Sequence, residues 1–115
     1  MSLFERHSPA EFEQACLSAF RWQAQACEPY ARYLACLGVN PDELSSAAQV
    51  PFLPIEFFRT ERVVCGSAKA QRVFTSSGTS GAETSRHYVS DALLYEESLL
   101  RGFEHFYGAP QGYCI

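Results

Sequence analysis

A chain of 115 residues, 47% hydrophobic and 19% charged, carries enough apolar side chain for one small core and is not of disordered composition. Its formal net charge is −4, and its cations are one lysine, Lys69, and scattered arginines, so no clustered basic surface awaits a nucleic acid. No run approaches the ~18 apolar residues of a membrane helix, and the N-terminus lacks the basic-then-apolar pattern of a signal peptide.

Ser8-Pro9-Ala10-Glu11 combines a capping serine, a proline suited to the first helical position and the acid of a capping box. The spacing predicts a helix over about Pro9 to Gln25, with Phe12, Ala15, Cys16, Ala19 and Phe20 on one apolar face. Pro29 opens a second helix, with Tyr30, Tyr33, Leu34 and Leu37 aligned, and Gly38 stops it as a left-handed cap. Asn40-Pro41-Asp42-Glu43 starts a short third helix with acids on its first turn. Two prolines three residues apart, Pro51 and Pro54, keep Val50 to Phe58 out of a regular interior strand, so an extended run and a turn are expected.

Arg62 to Cys65 and Gln71 to Thr75 read as strands separated by a Gly66-Ser67 turn, and Arg86 to Val89 as a third. Ser90 then caps a long helix that faces Leu93, Leu94, Ser98, Leu99, Phe103 and Phe106 inward and ends at Gly108. Gly112 to Ile115 reads as the first residues of a buried strand. The expected fold class is α/β, as an α+β fragment. Residues 1–115 form one unit, with a helical segment at 1–49 and a strand–loop–strand–helix segment at 50–115. The chain is expected to be a truncated product that associates with itself through its strand edge and last helix.

Between the strand-like runs, Phe74 to Arg86 reads FTSSGTSGAETSR, and Thr75 to Gly81 are all Ser, Thr or Gly. Small residues let a backbone approach an anion closely, and successive N–H groups and hydroxyls can then surround phosphate oxygens. Ser76, Ser77, Gly78, Thr79, Ser80 and Gly81 are therefore the candidate phosphate-binding residues. The loop fits neither the Walker pattern, which needs a lysine and wider glycine spacing, nor G-x-G-x-x-G. The competing reading is a flexible Ser/Gly linker, against which stands the strand-like sequence on both sides.

The loop resembles the [ST]-[ST]-G-[TS]-[TS]-G signature of adenylate-forming enzymes. Upstream, Pro51-Phe52-Leu53-Pro54-Ile55-Glu56-Phe57-Phe58-Arg59 is similar to the P-F-x-P-[IV]-x-x-F-[KR] segment of LuxE-type acyl-protein synthetases. Downstream, Ser90-Asp91 and the apolar helix ending in Phe103-Glu104-His105-Phe106-Tyr107-Gly108 also resemble that family, in its N-terminal portion. The resemblance implies an ATP-dependent ligase that activates a carboxylic acid, a fatty acid above all, as acyl-AMP and passes the acyl group to a thiol. It implies ATP and Mg²⁺, an acyl-accepting protein as partner, and no catalytic residue within these positions, so that the isolated chain is expected to be inactive. Where many such enzymes end the loop with Pro-Lys, this chain has Glu83 and Thr84; the nearest cation is Arg86, a lysine substitute or a solvated strand residue.

Five cysteines, Cys16, Cys27, Cys36, Cys65 and Cys114, match no zinc or C-x-x-C spacing. An odd count without a secretory signal favours reduced thiols in the cytoplasm, acting as small hydrophobes. His7, His87 and His105 have no partner at metal-ligand or catalytic spacing, and His87 reads as structural. Phe57, Phe58, Phe103, Phe106 and Tyr107 are core candidates before they are acyl-pocket candidates. The alternative to a ligase segment is a stand-alone, non-catalytic module that binds a phosphate ligand or docks on a protein. Continuation of the reading frame past Ile115 would separate the two.

Overall fold

The computed structural model describes residues 4–5, 7–76 and 84–113. Helix α1 spans Pro9–Ala26. The Ser8 hydroxyl accepts from the Glu11 N–H and the Glu11 carboxylate accepts from the Ser8 N–H, both at 3.2 Å, the reciprocal cap expected from the sequence. Cys27 ends α1 and begins α2, Glu28–Leu37, so a single extended residue turns the chain between two packed helices. At the end of α2, Gly38 adopts φ 70°. The N–H groups of Gly38 and Val39 reach back to Ala35 and Leu34, which satisfies the last carbonyls in the six-to-one pattern of a left-handed stop.

Leu17, Phe20, Ala24, Cys27, Pro29, Tyr30 and Leu34 are the buried apolar side chains among the described residues, all on α1, α2 and their junction. Phe20 and Tyr30 meet edge to face at 6.0 Å. The buried stripe of α1 is thus rotated from the expected one: Phe12 is 61% exposed and Ala19 is exposed. The short third helix is a single 3-10 turn, Pro41–Glu43, followed by a second, Ala47–Gln49. Two α1 side chains hold this stretch down. Arg21 donates to the Leu44 carbonyl at 3.0 Å, and the Ala47 N–H donates to Glu13 at 2.6 Å.

The two-proline segment runs without regular structure and is pinned to α2 by the Tyr30 hydroxyl, which donates to the Pro51 carbonyl at 2.6 Å. It then turns into the one-turn helix α3, Phe57–Thr60. Residues 62–65 form no strand, contrary to the sequence expectation. Val63 and Cys65 do pack on the core. What is missing is a ladder partner; instead, the neighbouring Gly66 N–H bonds to the Ala26 carbonyl at 2.8 Å, tying this run to the end of α1.

Strands β1, Arg72–Thr75, and β2, Arg86–Val89, pair antiparallel with Arg72 opposite Val89 and Thr75 opposite Arg86. Helix α4, Ala92–Tyr107, follows. Asp91, not Ser90, caps it, accepting from the Leu94 N–H at 3.1 Å, while the Gln71 side chain accepts from the Ala92 N–H at 2.8 Å. No α4 residue is buried. Leu93 is 76% and Phe106 77% exposed, and among the described residues only Phe103 of the expected inward face is half-buried. Beyond it, Pro110–Gly112 is a 3-10 turn that folds Tyr113 back onto Phe103 and the Tyr107 carbonyl; of the strand expected over Gly112 to Ile115, the last two residues lie outside the described residues. The organisation is α+β, helix-dominated, with one two-stranded sheet.

Candidate functional site

Ser76 directly follows β1 and Ser85 directly precedes β2, so the Ser/Thr/Gly run lies in the connection between the two antiparallel strands. Of the six candidate phosphate residues, Ser76 is described; Ser77, Gly78, Thr79, Ser80 and Gly81 lie outside the described residues.

The closing rung of the hairpin is unusual. In a hydrogen-bonded antiparallel pair, two residues exchange both N–H···O=C bonds. Ser76 donates its N–H to the Ser85 carbonyl at 3.1 Å, as the pattern requires. The return bond goes elsewhere: the Ser85 N–H donates to the Ser76 hydroxyl at 3.0 Å. Ser85 Oγ also lies 2.8 Å from Ser76 Oγ. Ser85 is 9% exposed, the buried polar residue among those described, whereas Ser76 is exposed.

Ser85 Oγ also meets His87 Nε2 at 3.1 Å. Residues two apart on a strand share a face, which is how β2 brings this serine and histidine together. The His87 ring stacks on Phe58 of α3, with centroids 4.6 Å apart and planes 26° from parallel. Phe58 in turn forms part of the wall of an apolar pocket of about 390 Å³, shared with Cys27, Tyr30, Leu53, Val63 and Cys65. A continuous row, Phe58–His87–Ser85–Ser76, therefore runs from this pocket to the entrance of the loop. Sequence reasoning left His87 without a partner. The signal that would have found it is the Ser-x-His alternation at the mouth of a strand.

Arg86 points the other way. It is exposed and opposite Thr75 in the register, on the face of β2 away from Ser85 and His87. That placement is compatible with a solvated strand residue; the loop for which Arg86 would substitute a lysine lies outside the described residues. His7 lies 3.7 Å from Glu11, and His105 meets Phe106 edge to face. Among the described residues no group of three His, Cys, Asp or Glu side chains converges.

The cysteines divide by environment. Cys27 is buried, Cys16 and Cys65 are half-buried, and Cys36 is exposed, so its expected role as a small core hydrophobe does not hold. Burial, and then the neighbouring Cys27, pushes the Cys65 thiol above its ordinary pKa, the direction of an unreactive thiol. Cys114 lies outside the described residues. Of the core-candidate aromatics, Phe57, Phe58 and Phe103 are half-buried, while Phe106 and Tyr107 are exposed.

No protein-family description, curated protein or solved structure matches the chain.

Proposed function

We propose that this chain supplies the phosphate-gripping segment of an ATP-dependent acyl-activating ligase of the acyl-protein synthetase type. Such an enzyme joins a carboxylic acid to the α-phosphate of ATP, expels pyrophosphate and passes the acyl group to a thiol. The observation that carries the reading is the Ser76–Ser85 rung. It brings together Ser76 and Ser85, the residues on either side of the connection that carries the Ser/Thr/Gly run, and holds an exposed hydroxyl at the loop entrance. Preorganised donors act where negative charge gathers, and removing one from comparable oxyanion sites costs about 2.7–4 kcal/mol of transition-state stabilisation. Ser76, and by sequence Ser77, Thr79 and Ser80, are the donors, with Gly78 and Gly81 permitting the backbone to curl.

The test is carboxylate-dependent ATP–pyrophosphate exchange by the ligase carrying this segment. Thr79→Ala removes one hydroxyl and lowers exchange. Gly78→Val and Gly81→Val displace several donors at once and lower it more, with the loss appearing when ATP is the varied substrate. Unchanged kinetics in a folded Gly78→Val protein would make the loop a linker. A second reading, a protein-docking module, draws on the uncovered apolar face of α4. It requires a partner that binds equally well to the Gly78→Val protein.

A further inference from the structure

A serine hydroxyl has one hydrogen and two lone pairs. Ser76 Oγ accepts from the Ser85 N–H at 3.0 Å and lies 2.8 Å from Ser85 Oγ, which in turn lies 3.1 Å from His87 Nε2. Two senses of donation satisfy the row. In one, the His87 Nε2–H donates to Ser85, Ser85 donates to Ser76, and Ser76 turns its own hydrogen outward from an exposed side chain at the start of the loop; in the other, both hydroxyl bonds reverse and the ring nitrogen accepts. The stack on Phe58 holds the ring against Ser85 in either sense.

We propose that His87 is a positioning residue for oxyanion binding, fixing the Ser76 hydroxyl, through Ser85, as a donor to a phosphoryl oxygen. The inference rests on the phosphate-gripping reading above and adds a specific histidine tautomer and a specific polarity to it. A chain of hydrogen bonds polarises its members in the same sense, so an anion at Ser76 strengthens every link, whereas a hydrogen-bond donor placed there opposes them all. The site selects an acceptor-only group, which a phosphate oxygen is and a substrate hydroxyl or amide N–H is not.

Two measurements on the full 115-residue chain test this. The first is a two-bond nitrogen–proton correlation spectrum of the histidine rings in the absence of ligand. His87 is expected as the Nε2–H tautomer; a dominant Nδ1–H tautomer overturns the proposal whatever the chain binds. The second is titration with inorganic tripolyphosphate, followed calorimetrically and by backbone amide shifts. Ser76→Ala is expected to weaken binding about tenfold, the usual effect of losing one hydrogen bond to a charged group. His87→Phe keeps a ring against Phe58 but removes the donor, and is expected to weaken binding nearly as much. His87→Gln returns an N–H donor and is expected to recover part of the loss. If wild type binds tripolyphosphate and His87→Phe binds equally well, the positioning role fails while the phosphate reading stands. If wild type does not bind tripolyphosphate, the phosphate reading fails and the proposal falls with it.

Discussion

Tyr30 shows how one polar atom sets the path of a whole segment. Its ring is buried against Phe20, yet its hydroxyl reaches the Pro51 carbonyl. Burial and then the nearby Tyr33 raise its pKa. Tyr30→Phe keeps the packing and leaves that carbonyl without its donor, so it should cost about 1–2 kcal/mol in urea unfolding. Both raised groups lose protons more readily in the unfolded chain than in the folded one. Their contribution to stability is therefore complete below the ordinary values, 9.0 for the Cys65 thiol and 10.0 for the Tyr30 phenol, and is lost as pH climbs through the raised folded values. Unfolding midpoints should fall above pH 9.0, and Cys65→Ser should flatten the first part of that fall. The same environments order thiol reactivity. With iodoacetamide on the folded protein, peptide mass spectrometry should find Cys36 modified first and Cys27 and Cys65 last; early modification of Cys65 would contradict its placement against the core.

Among the elements, those written by neighbouring residues were legible and those written by distant ones were not. Ser8, Pro9 and Glu11 announce α1 because a cap is a contact three residues long, and Gly38 ends α2 because a left-handed residue is a local requirement. Strands β1 and β2 are legible too, since each has the β-prone residues and they are consecutive in the chain, the usual arrangement for an antiparallel pair. Residues 62–65 have the same local character, but a strand needs a ladder partner and the chain offers them the end of α1 instead. Which face of α4 is inward was illegible for a related reason: the apolar stripe exists, but its cover does not come from the described residues. At the site, the small-residue run was visible in the sequence, while the Ser85–His87 pairing was not, because it depends on the register of the returning strand. Gly38 offers a clean test at this scale. Nothing lies within 4 Å of the position a Cβ would take, so Gly38→Ala meets no steric clash. The cost is the backbone conformation alone, about 1 kcal/mol, and Gly38→Asn should lose less.

The molecule as a whole is more open than its mass requires. Its accessible surface is 8844 Å², where about 6,300 Å² is usual for a compact monomer of 12.9 kDa. Its radius of gyration is 16.8 Å against roughly 13 Å for a compact domain of this length. Among the described residues, the apolar side chains of α4 and Phe52, 90% exposed between two prolines, contribute to that surface. Apolar surface of this kind drives association, so light scattering over a concentration series should show the apparent mass rising; a strictly monomeric species throughout would count against it.

Phosphate gripping at the hairpin mouth is tested by ATP titration of the isotopically labelled chain. Amide shifts should concentrate at Ser76, Ser85 and His87, with tripolyphosphate reproducing them and adenosine leaving them unmoved. Gly78→Val should abolish them without altering the shifts of α1 and α2. Shifts produced equally by adenosine, or a Gly78→Val chain that responds to ATP like wild type, would contradict the account.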